Sequence, residues 1–315
     1  MKKLTEFPRI ELGIFPTPIQ RLHNISSLLH TNVYVKRDDL TGLGLGGNKV
    51  RKLEYLLADA KQQGAETVFT TGSAQSNHAM LTAAASGKLG MKAILILKQR
   101  GVTDCVGNLL LEKLMGTEVR FMDTDDYADI YNEMDRIGQE SGRAYYKIPC
   151  GGSNALGSLG YVGCAQEIRE QGIHFDHLVC AEGSGGTMAG LALGAKLFLP
   201  GTKVHGMMVD RDAFDVITPA LMKEAAALLE EDLDIGEEDF LLRDLCGPGC
   251  AIPSEEGNAA VRLMAEREGL FLDPVYTGKA FAGLIQMARE GAFLETDNVL
   301  FLHSGGAGGL FAAKI

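Results

Sequence analysis

Short apolar runs alternate with longer stretches of helical periodicity through most of this chain. Val33-Tyr34-Val35 leads into the charged segment Lys36-Arg37-Asp38-Asp39, the pattern of a strand entering a loop. Val50, Leu53, Leu57 and Ala60, with Leu56 beside them, recur at helical spacing, so a helix with one buried face is predicted to begin at about Lys49. The alternation continues with a strand over Thr67-Val68-Phe69-Thr70, a helix after Asn77 and a strand over Ala93-Ile94-Leu95-Ile96-Leu97. A helix from about Asn108 to Met115, the strand Glu118-Val119-Arg120-Phe121, a helix from about Tyr127 and the strand Tyr145-Tyr146-Lys147-Ile148 follow. Pro149 breaks the series. A second one runs through Leu178-Val179-Cys180-Ala181, a helix after Gly186, the strand Val204 to Val209, a helix carrying Ala280, Leu284 and Met287, and a late central strand, Val299-Leu300-Phe301-Leu302. Strands alternating with helices are the pattern of parallel βαβ units, so two α/β modules with open, twisted, mainly parallel sheets are expected.

Length and composition agree with that picture. A chain of 315 residues, 46% of them hydrophobic, can bury one large or two medium cores. No run approaches the ~20 apolar residues of a membrane span, and the basic start Met1-Lys2-Lys3 has no apolar segment behind it, so a cytoplasmic protein is expected. Six scattered cysteines suit reduced core positions; they indicate neither a disulfide framework nor a metal cluster, and Cys246 with Cys250 lacks a second ligand pair. The net charge of −11 disfavours nucleic acid and anionic membranes as partners.

Ligands of open parallel sheets bind beyond the carboxyl ends of strands, which directs attention to four loops. The first, Gly46-Gly47-Asn48-Lys49, sets a lysine at the start of a helix. The positive end of the helix dipole and the neighbouring Arg51 and Lys52 are expected to favour its neutral amine, the form that attacks an aldehyde; the alternative is a solvated surface lysine. The second, Thr71-Gly72-Ser73-Ala74-Gln75-Ser76-Asn77-His78, dresses a helix N-terminus with donors fit for a carboxylate or phenolate, or is an ordinary helix cap with His78 a satisfied helix histidine. The third, Glu182-Gly183-Ser184-Gly185-Gly186-Thr187, can cradle a phosphate on backbone amides but is no P-loop. Gly42, Gly44 and Gly47 match dinucleotide spacing without an acid to hold a ribose. Finally, His303-Ser304-Gly305-Gly306 follows the late strand, and Asp273-Pro274-Val275-Tyr276-Thr277 opens a helix, with Tyr276 either packed or available as an acid or base.

Lys36-Arg37-Asp38-Asp39, Gly46-Gly47-Asn48-Lys49, Gln75-Ser76-Asn77-His78 and Asp273-Pro274-Val275-Tyr276, in this order across nearly the whole chain, resemble the signatures of the D-cysteine desulfhydrase and 1-aminocyclopropane-1-carboxylate deaminase family, pyridoxal 5'-phosphate (PLP) enzymes of the tryptophan-synthase-β-like fold. The resemblance implies a large cofactor-binding domain over 1–48 and 155–315, a small domain over 49–154, PLP in the cleft between them, and a homodimer. It implies that Lys49 carries the cofactor as a Schiff base, that Asn77 bonds its 3-oxygen, and that Lys52 with Ser184, Gly185, Gly186 and Thr187 holds its phosphate. Ser76, Asn77, His78, Cys250 and Tyr276 would meet the amino-acid substrate, with Ser76 and Tyr276 assisting Lys49 in catalysis. Thr277 and Ser304 stand where the deaminase branch carries glutamate and leucine, which looks like the desulfhydrase branch. A hydroxyl near the pyridine nitrogen need not keep it protonated as a carboxylate would, and elimination of a sulfur group tolerates that weaker electron sink. Cys250 replaces a tyrosine of many family members, which opens room for another β-substituent such as the sulfonate of L-cysteate. The expected activity is therefore a β-elimination lyase, D-cysteine desulfhydrase first and L-cysteate sulfo-lyase second. A non-catalytic amino-acid or PLP-binding protein is the reading from another class, and a nicotinamide-dependent dehydrogenase is the weakest.

Overall fold

The computed structural model describes residues 2–313. The chain opens with β1 (Ile19–Arg21), α1 (His23–Leu29) and β2 (Asn32–Lys36), then forms a contiguous series: α2 (Lys49–Gln62), β3 (Thr67–Ser73), α3 (Asn77–Lys88), β4 (Lys92–Lys98), α4 (Gly107–Leu114), β5 (Glu118–Met122), α5 (Tyr127–Ser141) and β6 (Tyr145–Lys147). It returns through α6 (Ala155–Glu170), β7 (His177–Glu182), α7 (Gly186–Phe198), β8 (Lys203–Met208), α8 (Phe214–Leu228), β9 (Leu241–Asp244), α9 (Glu255–Glu268), α10 (Thr277–Arg289), β10 (Asn298–Leu302) and α11 (Ala307–Leu310).

These strands make two sheets. The smaller, in the order β5-β4-β3-β6, is parallel throughout, with Phe69 opposite Ile94 on one side and Lys147 on the other. The larger runs β1-β2-β10-β7-β8-β9 and is parallel apart from β1 against β2. Its central strand β10 arrives last in sequence and sets Phe301 between Val35 and Val179. The fold is thus α/β with two mainly parallel sheets, as the alternation of patterns predicts.

Apolar side chains cover both faces of each sheet, as parallel sheets require. On the larger sheet, Tyr161, Leu191 and Met222 from α6, α7 and α8 pack one face, while Met264 and Phe281 from α9 and α10 pack the other with Val35 and Phe301. On the smaller sheet, Leu53, Leu57 and Met80 from α2 and α3 meet Val68, and Ile130, Met134 and Ile137 from α5 meet Phe69 and Ile96. Each such fully buried side chain contributes roughly 1.5–3 kcal/mol.

Helix α6 lies where no helical periodicity was visible, because its apolar face is interrupted by Gly157, Gly160 and Gly163. Those residues lower intrinsic helix propensity but allow close contact. A Cβ on Gly160 would lie 2.4 Å from the Arg51 carbonyl oxygen of α2, and one on Gly190 of α7 would lie 2.3 Å from the Ser158 carbonyl oxygen. Helix α2 is therefore seated directly on α6, which packs in turn on α7, and its first turn reaches the cleft.

Candidate active site

The carboxyl ends of β3, β6, β7, β8 and β10 converge on one cleft of about 780 Å³, counting its open mouth. Lys49 enters from the first turn of α2. The preceding loop is pinned twice: Gly47 N–H donates to Thr41 Oγ1 at 2.9 Å, and Asn48 N–H donates to the Ser304 carbonyl at 3.0 Å, in the loop after β10. Asn48 Nδ2 also donates to Thr187 Oγ1 at 3.0 Å, joining the start of α2 to the start of α7. Glycine is required at Gly46, whose φ is +73° and whose Cβ would fall 1.8 Å from the Asp39 carbonyl oxygen.

Burial pushes the Lys49 amine down to about 8, against the opposing influence of Cys150 and Glu182. The expectation that Arg51 and Lys52 do this is corrected. Arg51 points away from the cleft and is consumed by Asp38 and Glu167, with Nε and Nη2 both 2.8 Å from the Asp38 carboxylate. Lys52 is itself forced well below the lysine range by burial and by the Lys49 charge.

Ser76 is the N-cap of α3, its Oγ accepting from Ala79 N–H at 3.2 Å, and it also lines the cleft; capping leaves its own O–H available to donate. Asn77 is oriented by Asn108, whose Nδ2 donates to Asn77 Oδ1 at 2.7 Å and to the Gln75 carbonyl at 2.8 Å. With its carbonyl occupied, the Asn77 amide group is left as the donor, which suits an oxyanion. His78 faces the cleft with Nε2 2.8 Å from Thr70 Oγ1, and burial, with Lys49 and Lys52 nearby, holds it well below the usual imidazole value.

The loop between β7 and α7 forms the far end. Ser184, Gly185 and Thr187 line the cleft, while Gly186 and Lys52 lie just behind. Lys52 Nζ donates to the Gly151 carbonyl at 3.1 Å and to Ser153 Oγ at 3.3 Å; Ser153 Oγ also accepts from Gly186 N–H at 3.1 Å and lies 2.9 Å from Ser184 Oγ. A Cβ on Gly186 would fall 2.8 Å from Ser153 Oγ and 2.9 Å from Lys52 Nζ. A helix N-terminus, two hydroxyls, a lysine and a glycine through which the backbone can be approached make a cradle that fits a phosphate.

Asp273 organises the remaining wall. Its carboxylate accepts from Val275 N–H at 2.9 Å, Tyr276 N–H at 2.8 Å and Thr277 N–H at 2.9 Å, and from Thr277 Oγ1 at 2.7 Å. Tyr276 is thereby turned into the cleft over Gly183, where an added Cβ would lie 3.4 Å from the ring. Burial keeps its phenol above the usual tyrosine value. Thr277 does not reach the cleft: it is fully buried with its hydroxyl on Asp273, so of the two hydroxyls Ser304 alone lines the cavity. Cys250 lines the mouth together with Asp210.

Several lining residues carry no motif that sequence reading could use. Cys150 follows β6 and accepts from Tyr127 O–H at 3.2 Å. Glu182 ends β7, and Asn108, behind the cleft wall, acts on Asn77 through a bond across 31 residues. Only Glu182, adjoining the glycine-rich loop, had a detectable signal in the sequence. Among the described residues no group of three or more histidine, cysteine or acidic side chains could hold a metal ion, and no helix is long and apolar enough to cross a membrane.

Comparison with known proteins agrees with this geometry. The family pattern of pyridoxal-phosphate dependent enzymes matches residues 10–305. The chain is 45% identical over 315 residues to a Pyrococcus horikoshii protein provisionally named a 1-aminocyclopropane-1-carboxylate deaminase, covering 98% of this chain and 94% of the relative. It is 42% identical over 322 residues to the D-cysteine desulfhydrase of Klebsiella pneumoniae, covering 99% of this chain and 98% of the relative. The crystal structure of an ACC deaminase homologue superposes with a TM-score of 0.92 at 44% identity, covering 98% of this chain and 94% of the other. A cleft with one partly buried lysine amine, an oriented asparagine amide and a phosphate-shaped loop, on a chain matched nearly end to end, belongs to the pyridoxal-phosphate dependent enzymes, in the branch of D-cysteine desulfhydrase and 1-aminocyclopropane-1-carboxylate deaminase.

Proposed function

We propose that this enzyme is a β-elimination lyase acting on D-cysteine, consuming one water and releasing pyruvate, hydrogen sulfide and ammonia. The observation that carries the choice within the branch is Ser304, a hydroxyl on the cleft wall where the deaminase branch carries leucine, with Thr277 in place of that branch's glutamate, so that neither position offers a carboxylate to keep the cofactor ring nitrogen protonated. PLP, when bound, supplies the aldehyde that holds the substrate amine and the ring that takes electron density from the α-carbon. The phosphate is assigned to Lys52, Ser184, Gly185, Gly186 and Thr187, and the ring oxygen to the Asn77 amide. Ser76 and the free amides of α3 are assigned to the substrate carboxylate. The Lys49 amine, with its proton affinity lowered to about 8 by burial, removes the α-proton. Tyr276, kept protonated by burial, gives its proton to the departing sulfur.

Cys250 supports L-cysteate as the second substrate, since a small side chain at the mouth leaves room for a sulfonate. Asp210 beside it favours the thiol, because a carboxylate there repels a sulfonate and, of the described cleft-lining residues, Lys49 alone can carry a lasting positive charge. Pyruvate release from D-cysteine, L-cysteine and L-cysteate, with 2-oxobutyrate release from 1-aminocyclopropane-1-carboxylate in parallel, tests the reading. D-cysteine is expected to exceed the others in kcat/KM by about tenfold or more. A preference for the cyclopropane would reject the role given to Ser304.

Division into 1–48 with 155–315 and 49–154 belongs to this reading, supported by which strands share a sheet. So does a cytoplasmic homodimer, which light scattering on the purified protein tests; six free thiols, three of them buried, support a reducing compartment.

A further inference from the structure

Glu182 is the last residue of β7, 1% exposed, and its carboxylate folds back onto the loop that follows. Oε1 accepts from Gly185 N–H at 2.6 Å, while Oε2, equally buried, has no partner. The amide it occupies belongs to the N-terminus of α7, where the phosphate cradle lies. An ionised carboxylate and a phosphate dianion on neighbouring donors of one buried loop repel each other, whereas a neutral carboxyl can share the loop and donate from its second oxygen.

We propose that Glu182 is a member of the cofactor-binding site that must carry a proton for PLP to bind tightly, so that cofactor binding takes up a proton at this carboxyl. The inference rests on the assignment of the phosphate to the β7–α7 loop.

The surroundings decide its sign. Burial lifts the carboxyl to about 7, outweighing the Gly185 and Ser184 N–H groups and the Lys52 and Lys49 charges from α2, all of which favour the charged carboxylate. The other titratable groups facing the cleft supply no further cation: His78 is held neutral, Tyr276 and Cys150 are raised by burial, and Cys180 on the same strand is likewise raised. Asp210, at the mouth, is of like charge. Bound phosphate adds negative charge beside Glu182 and raises its proton affinity further. The affinity contributed through this group therefore falls by up to about tenfold per pH unit above the free-site value.

Equilibrium dialysis of the PLP-stripped protein and its Glu182→Gln variant against PLP at pH 6.5 and 8.5 tests this. Taking the ratio of the two dissociation constants at each pH cancels the titration of Lys49 and of the cofactor itself. The ratio of wild-type to variant Kd is expected to rise at least about tenfold from the lower to the higher pH; an unchanged ratio overturns the proposal. Should Glu182→Gln fail to fold, Glu182→Ala serves in the same comparison. Independently of any variant, calorimetry at pH 8 in two buffers of different ionisation enthalpy is expected to show about one more proton taken up with PLP than with pyridoxal, which lacks the phosphate; equal uptake would count against Glu182. Gly186→Asp tests the cradle itself. Undiminished PLP affinity in that variant rejects the phosphate assignment and the inference with it, whereas lost affinity combined with an unchanged Glu182→Gln ratio rejects the inference alone.

Discussion

Lys49 and Tyr276 face one cleft, and the proposed mechanism asks opposite proton states of them, toward each of which burial works. Taking a lysine out of water disfavours its cation, and taking a tyrosine out of water disfavours its anion, so one buried setting favours both the neutral amine and the neutral phenol that the proposal requires. Lys49→Ala is expected to lower pyruvate release by about 10³-fold or more while leaving the circular dichroism spectrum intact; full turnover in that variant would reject the lyase reading. Tyr276→Phe isolates the acid. With D-cysteine it is expected to slow turnover by about 10²-fold, because sulfide leaves readily only when protonated. With β-chloro-D-alanine, whose chloride needs no proton, the loss should be much smaller. Equal losses on the two substrates would reduce Tyr276 to packing.

At the level of elements, the strand and helix beginnings that matter most for chemistry were legible in sequence. The helices opening at Lys49 and Asn77, and the strands Thr67–Ser73 and Asn298–Leu302, follow from apolar periodicity bounded by glycine and polar loops. Helix α6 was hidden because its glycines interrupt the apolar face, and the one at Gly160 serves a contact with α2 that exists only after folding; β1 and β9 are too short to form a pattern. Within the site the motif residues were legible and their supporting partners were not: Asn108 and Ser153 act through long-range hydrogen bonds that leave no local signature. The loop before α2 makes the point measurable. Gly46 and Gly64 have similar φ, +73° and +70°, but a Cβ on Gly46 strikes the Asp39 carbonyl whereas Gly64 has nothing within 4 Å. Gly64→Ala should cost only the left-handed strain of about 1 kcal/mol, whereas Gly46→Ala should cost at least about 2 kcal/mol more in urea unfolding and also weaken cofactor binding by displacing Lys49. Equal costs would mean that the loop adapts freely.

Across the whole molecule, the two sheets are tied together behind the cleft by a buried ionic cluster. Asp38, after β2, accepts from Arg51 of α2, from Tyr161 O–H of α6 at 2.6 Å and from Thr17 Oγ1 at 2.8 Å. Arg51 Nη1 donates to Glu167 of α6 at 2.8 Å, and Lys36 from the end of β2 donates to the same carboxylate. Burial alone would raise both acids, but the Arg51 charge and its hydrogen bonds prevail and hold Asp38 and Glu167 below the usual carboxylate range. Because their folded values are depressed, the stability they contribute is present in full above the unfolded values, near 4, and is lost as pH falls through the lower folded values. The same cluster orients the helix that carries Lys49, so acid should loosen the seating of α2 along with the core. Asp38→Asn leaves the buried Arg51 with Glu167 as its one carboxylate partner, and breaking a buried pair costs about 3–5 kcal/mol. Urea unfolding of wild type and Asp38→Asn at pH 7 and at pH 3 is therefore expected to show a large gap at neutral pH that narrows in acid, as the wild type loses what the variant already lacks. A variant within about 1 kcal/mol of wild type at pH 7 would mean that the cluster only breaks even against its desolvation, and the hold on α2 would then have to come from the apolar contacts and the Gly160 seat.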